Sequence, residues 1–283
     1  MISVIVPVHN AAGYLPELLR SLQEQSVCGA WEIIAVDNRS TDDSVAVLTA
    51  AVRALPIKIC QAKRRANPSY ARNIGAASAT GDKLLFVDAD DAIAAGYVDA
   101  MADALEQHVF VTSRVDSILL NRGHIRDVYG APWQRDGVDT YFNFLPACGV
   151  NIGIRREAFE QLGGFPDEFS GSEDIAFAWR AHLAGMPVHF VPDAVYHYRH
   201  RDSLRRIYGQ AVNWGRDNAR LFAGFRRYGM PARSWSLTVK DWGGAMTDLF
   251  VASTALERAR AVGRLGYCIG RFKGSLAYRV RYF

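Results

Sequence analysis

The chain has 283 residues, 49% of them hydrophobic and 22% charged, with a net charge of +4 at neutral pH. This length and composition support a buried core in one large domain, or one domain with an appendage, and exclude a disordered chain or a small disulfide scaffold. Cys28, Cys60, Cys148 and Cys268 are scattered without metal-site spacing and point to a reducing compartment, and no stretch reaches the ~20 apolar residues of a spanning helix.

The N-terminus enters a β-branched strand at once, over residues 3–8, with no positively charged leader. Leu15, Leu18, Leu19 and Leu22 then fall at helical spacing. The pattern continues with a strand over 32–36, a helix marked by Val45, Leu48, Val52 and Leu55, a strand over 57–61 and a helix over 68–79. The apolar run that begins at Lys83 predicts a fourth strand ending at Asp88. Continuous apolar strands alternating with amphipathic helices predict an α/β fold with a Rossmann-like, mainly parallel central sheet flanked by helices. Ligands of such sheets bind at the carboxyl edge, where residues 7–10, 37–40 and 88–91 all fall.

Further along, the spacing predicts a helix over 96–107 and extended chain over 109–120. A Gly-, Pro- and aromatic-rich loop over 121–150 suits a cover for a pocket. A turn at 163–166, a helix over 174–185, short strands over 188–191 and 195–198 and a helix over 203–228 follow. Charge divides along the chain: residues 199–283 carry 17 Lys/Arg against 5 Asp/Glu, whereas residues 1–198 carry 16 against 24. The basic end suits either an anionic surface or substrate, or simply solvated helix faces.

Asp88-Ala89-Asp90-Asp91 places carboxylates where the fourth strand emerges. Alternate side chains of extended chain point the same way, so Asp88 and Asp90 can face one ligand. Their hard oxygens suit Mg²⁺ or Mn²⁺, ions that complete their shell with substrate phosphates. An acidic turn or helix cap gives the same string.

Five segments in order, residues 4–10 (VIVPVHN), 36–42 (VDNRSTD), 71–75 (ARNIG), 86–91 (FVDADD) and 172–174 (SED), resemble the family 2 glycosyltransferases over about residues 2–200. The resemblance implies the GT-A fold and inverting transfer from a nucleotide-diphosphate sugar to an acceptor hydroxyl. It divides the chain into a nucleotide-sugar-binding and catalytic domain, 1–200, and a helical basic C-terminal region, 201–283, for acceptor or membrane-surface contact.

By the same resemblance Pro7, His9 and Asn10 cradle the nucleoside, with His9 where the family often has Tyr. Asp37 accepts a hydrogen bond from a pyrimidine imide, which favours a UDP-sugar while leaving guanine open. Asn38-Arg39 departs from the commoner acidic-glycine pair. Arg72 lies near the nucleotide or its phosphates, or pairs with the sheet-edge carboxylates. Asp88 contacts the ribose or metal waters, Asp90 is the direct metal ligand, and Asp91 binds a water or opens the next helix. Asp174 is the expected catalytic base and Glu173 its orienting neighbour, although the pair also opens a helix. His197 completes the metal shell or touches the diphosphate. Gly149 and Asn151 line the sugar pocket, and Trp214 forms an apolar floor under the acceptor or faces the core. Gln210 and Trp214 partly match a processive-synthase signature, but Asn213 replaces its arginine, which favours single addition.

The expected enzyme is a metal-dependent (Mn²⁺ or Mg²⁺) transferase that decorates a saccharide or lipid-linked saccharide precursor of the cell envelope. It is expected in the cytoplasm, with peripheral contact at the inner face of the membrane and no nucleic-acid partner. Two alternatives stand beside it, a sugar-phosphate nucleotidyltransferase and a catalytically silent carbohydrate- or nucleotide-binding module. The first lacks its glycine-rich triphosphate loop after the first strand, and the second would not need both Asp90 and Asp174.

Overall fold

The computed structural model describes residues 1–128, 134–149 and 151–283. In chain order the first half forms β1 (Ile2–Val8), α1 (Leu15–Gln23), β2 (Trp31–Asp37), α2 (Ser44–Ala51), β3 (Ile57–Gln61), α3 (Pro68–Ser78), β4 (Lys83–Phe86), β5 (Ala92–Ile93), α4 (Tyr97–Gln107) and β6 (Phe110–Asp116). The second half adds α5 (His124–Val128), β7 (Thr140–Tyr141), β8 (Leu145–Pro146), β9 (Ile152–Arg155), α6 (Arg156–Gln161), α7 (Glu173–Leu183), β10 (His189–His197), α8 (Leu204–Phe225), α9 (Trp235–Val251) and α10 (Ala255–Ala277). Among the described residues, eight strands form one sheet in the order β3-β2-β1-β4-β9-β6-β10-β5. The pairs β3/β2, β2/β1, β1/β4 and β6/β10 are parallel, and β9 runs antiparallel between β4 and β6. This is the mainly parallel sheet that the alternating pattern predicts.

One core cluster lies under α1 and α4, with Leu15, Leu18, Leu22, Met101 and Leu105 packed on Val4, Val6 and Val111. A second lies on the other face, where Phe159, Phe165, Phe177 and Trp179 meet Phe86 and Phe110. Phe222 and Phe225 of α8 join that second cluster, so the C-terminal helices share the core of the sheet. Helices α8 and α10 meet backbone to backbone: a Cβ on Gly215 would lie 2.9 Å from Arg271 N, and one on Gly270 would meet Val212 O. Only glycine permits that approach.

Several elements differ from expectation for local reasons. The extended chain expected over 109–120 stops at Asp116, the end of β6, because its carboxylate accepts from Ile118 N (3.0 Å) and Leu119 N (3.2 Å) and turns the chain. The two strands expected over 188–198 are one, β10, whose register breaks between Val191 and Val195 around Pro192, which has no N–H to give. The fourth strand ends at Phe86, two residues before Asp88. The long helix begins at a Ser203 cap and ends at Phe225 in a single 3-10 turn closed by Gly229. Of the loop expected over 121–150, residues 129–133 and 150 lie outside the described residues.

Candidate active site

A cleft of about 1170 Å³ opens at the carboxyl edge of the sheet. Pro7 near the end of β1 and His9 and Asn10 just after it form one wall, Asp88 and Asp90 follow β4, and Glu173 and Asp174 begin α7. Gly149, Trp214 of α8 and Tyr267 of α10 also line it.

Asn38 braces the first wall. Its buried amide donates to Ala62 O (2.8 Å) and Arg65 O (2.7 Å), and its Oδ1 accepts from Asn67 N (2.7 Å). His9 Nδ1 lies 2.8 Å from Asn38 O, which positions the ring at the cleft rim. Arg39 takes a left-handed φ of 66°, a conformation that glycine reaches without strain, and this explains the glycine that commonly follows in the resembling sequences. Asp42 ties the same loops together, accepting from Ala12 N (3.0 Å) with one oxygen and from Ser44 N (3.1 Å) with the other.

Arg72 connects the two acidic segments. It projects from α3, which Asn67 caps through its side chain, and is 2% exposed. Its Nη2 donates to Asp88 Oδ1 at 2.6 Å and its Nη1 to Glu173 Oε1 at 2.7 Å. Burial disfavours its charge, but Asp88 and Glu173 outweigh that and hold the guanidinium above its ordinary value. Next to Glu173, the half-buried Asp174 carboxyl is pushed up to about 8 by burial and then by the Glu173 charge.

Asp88, Asp90 and Asp91 bring carboxylate oxygens within 4.8 Å of one another. Asp91 is committed to the fold: its Oδ2 accepts from Tyr196 OH (2.8 Å) and its Oδ1 from Arg199 N (2.7 Å). It therefore locks the turn between β4 and β5 to β10, and the next helix starts six residues later. Burial, then Asp90 and Asp88, raise its carboxyl well above the carboxylate range. Asp90 Oδ2 accepts from Arg201 Nη1 at 2.6 Å.

Three expected residues stand elsewhere. Asn151 is 1% exposed and donates to Ser113 O (2.9 Å) and Ser113 Oγ (2.8 Å), so its amide is spent holding β9 to β6 and does not line the cleft. His197 sits on β10 with Nδ1 2.7 Å from Asp116 Oδ2, outside the carboxylate cluster, because a residue paired within a strand follows the sheet. Asp37, the last residue of β2, is buried and does not line the cleft, with Oδ1 accepting from Ser40 N (3.0 Å). The neighbouring Val150 lies outside the described residues.

Other residues that line the cleft carry no sequence signal of their own: Asp139, Tyr141, His200, Arg201 and Arg206. His200, three residues past His197, lines the cleft together with His9, and burial pushes its imidazole down to about 4. The loop before α7 is pinned from α8, since buried Asp217 Oδ2 accepts from Ser170 N (2.7 Å) and Ser170 Oγ (3.1 Å). Gly171 lies against the Trp214 ring, where a Cβ would stand 3.2 Å from Cδ1.

Residues 3–163 match the model of the family "Glycosyl transferase family 2". The chain belongs to that family. This family 2 transferase is 28% identical over 202 residues to a poly(ribitol-phosphate) beta-N-acetylglucosaminyltransferase, TarS, of Staphylococcus aureus, a match covering 69% of the chain but 35% of the relative. The chain thus spans about a third of that relative's length. Crystalline S. aureus TarS 1–349 in complex with UDP-GlcNAc superposes with a TM-score of 0.59 at 19% identity, over 100% of this chain and 93% of the other. A mannosyltransferase, PcManGT, from Pyrobaculum calidifontis in complex with GDP-Man and Mn²⁺ gives 0.66 at 18% identity, over 96% and 86%. The family 2 transferase shares the GT-A fold of these structures.

Proposed function

We propose that this family 2 transferase moves a sugar, with inversion, from a nucleotide-diphosphate sugar to an acceptor hydroxyl of a cell-envelope or polysaccharide precursor. The observation that carries the reading is the Arg72 bridge from Asp88 to Glu173, which holds the acidic strand end and the start of α7 together at one cleft. The donor's nucleoside lies along Pro7, His9 and Asn10, with Asp37 as the base-selecting carboxylate. A UDP-sugar is favoured, in keeping with the UDP-GlcNAc complex of the TarS neighbour.

Asp174 acts as the base. Its carboxylate takes the acceptor proton, the acceptor oxygen forms a bond to the anomeric carbon, and the bond from that carbon to the diphosphate breaks, leaving with its electron pair. Glu173, fixed by Arg72, orients the base, while Trp214 and Gly149 contact the sugars. Arg201 and Arg206 bring positive charge to the same cleft.

The donor set fits a hard divalent cation. Asp88 and Asp90 each give one oxygen to an arginine, and the second oxygen of each takes no hydrogen bond from the described residues. Asp90, with Asp88, would hold Mn²⁺ or Mg²⁺, which when bound offsets the charge gathering on the departing diphosphate. A Mn²⁺-containing neighbour supports this part of the reading.

Among the described residues no helix is long and apolar enough to cross a membrane. The reading places the enzyme in the cytoplasm. Residues 1–200 form its catalytic domain, and the basic region 201–283 contacts a saccharide or lipid-linked acceptor and the inner membrane face. A panel of UDP-, GDP- and dTDP-sugars, assayed for binding and slow hydrolysis with and without Mn²⁺, tests it. UDP-sugar turnover that requires the cation is expected, and no turnover or binding of any member would overturn the reading.

A further inference from the structure

We infer that the outer face of α9 is a docking surface for an anionic lipid bilayer, lying in the plane of the headgroups. This deepens the proposal that residues 201–283 contact a membrane and rests on it. Helix α9 packs principally on α10, burying Thr238 and Ala245. At spacings of three and four residues, Trp235, Val239, Trp242, Met246 and Phe250 form a stripe to one side of that contact. Trp235 is 58% exposed, Val239 69% and Phe250 84%, so the stripe presents large apolar side chains to solvent.

The stripe continues onto the neighbouring helix. The Phe283 ring lies 5.2 Å from Trp235 and 6.3 Å from the exposed Phe272 of α10. At this edge the Arg281 guanidinium lies 5.6 Å over the Trp235 ring, joining a cation to an aromatic at the rim.

Charge selects the occupant. Both acidic groups of α9 are paired within the protein: Asp241 with Arg233 (2.5 Å) and Arg271 (2.8 Å), and Asp248 with Arg264 (2.9 Å). Lys240, Lys273, Arg279 and Arg281 remain exposed, in a region of 17 Lys/Arg and 5 Asp/Glu. A second copy would bring the same excess of cations against itself. Anionic headgroups complement it, and an aromatic, apolar stripe edged by cations suits the boundary between headgroups and acyl chains. The α9 helix spans 17 residues and does not qualify as a crossing segment, so it lies along the surface.

The test is flotation of the full chain, at low salt, with vesicles of phosphatidylcholine alone or mixed with phosphatidylglycerol. It is paired with the double variant Val239→Asp, Phe250→Asp, whose substitutions fall on exposed positions and are checked by circular dichroism and UDP binding. The parent is expected to float with the anionic vesicles only, and the variant to bind at least about tenfold more weakly while keeping UDP affinity. A variant that floats like the parent overturns the α9 assignment while leaving membrane contact through another face. A parent that binds UDP but never floats overturns membrane contact and leaves the transferase reading standing. A parent that does not float and is a dimer by light scattering, dissociated by the double variant, assigns the stripe to a second copy and overturns the inference.

Discussion

Arg72 Nη1 lies 2.7 Å from Glu173 Oε1, a buried ion pair between residues 101 positions apart in sequence that ties α3 to the first turn of α7. Arg72→Met removes the cation from both Glu173 and Asp88. Leaving the buried Glu173 carboxylate without its partner costs about 3–5 kcal/mol. Urea denaturation is expected to show that loss together with loss of transfer, and a loss below about 1 kcal/mol would mean that the two segments hold together without the bridge.

Asp174→Asn keeps the shape of the proposed base but cannot take the acceptor proton. UDP affinity should stay within about twofold, while transfer falls by about 10²–10⁴-fold. Calorimetric titration with UDP and a turnover assay on the same preparation separate the two, and equal turnover by parent and variant would remove Asp174 from the chemistry.

The raised Asp174 carboxyl gives activity and stability opposite pH slopes. The base works when ionised, so turnover rises with pH through about 8. For stability, the folded carboxyl keeps a proton that the unfolded one releases above about 4. Its stabilising contribution is therefore whole below pH 4 and is lost as pH climbs through about 8. Denaturation midpoints of parent and Asp174→Asn across this window should diverge, with the parent falling relative to the variant. Parallel profiles would contradict the shift.

Asp90→Asn weakens the proposed cation site while leaving the nucleoside wall in place. Mn²⁺-dependent enhancement of UDP binding should drop at least about tenfold, and chelation of the parent should reproduce the loss. Titration calorimetry with and without Mn²⁺ reads this directly, and unchanged enhancement in the variant would exclude Asp90 as the ligand.

Asn38→Ala removes three hydrogen bonds that join the loop after β2 to the loop after β3. At about 1 kcal/mol each, with Asn67 N left unpaired, the expected destabilisation is about 2–4 kcal/mol. UDP affinity falls with it, since His9 is held by the same backbone.

Much of this was legible because its signals are local. The strand over 57–61 and the helix starting at Pro68 declare themselves within a few residues, and Asp88 and Asp90 follow an apolar run that can only be a buried strand. Strand β9 was not legible: four residues, Ile152–Arg155, become a strand only because β4 and β6 leave a gap between them. Asn151 and His197 were misplaced for the same reason, since the side chains that claim them, Ser113 and Asp116, lie 38 and 81 residues away. Arg201 carries no signal either, because its importance arises only when the turn after β10 brings it to Asp90. Arg39 was legible as a departure, and its positive φ supplies the physical content.

The glycine contact between α8 and α10 bears on what the enzyme can evolve to accept. Trp214 precedes Gly215, and Tyr267 lies three residues before Gly270, with the two aromatic rings 5.9 Å apart at the cleft. Any side chain added at Gly215 or Gly270 would pry the helices apart and move both rings at once, so the proposed acceptor floor is close to an all-or-nothing surface. New acceptor preferences would then arise more readily around Asp139 and Tyr141, which line the same cleft outside any helix, where one residue can change without dragging a helix behind it.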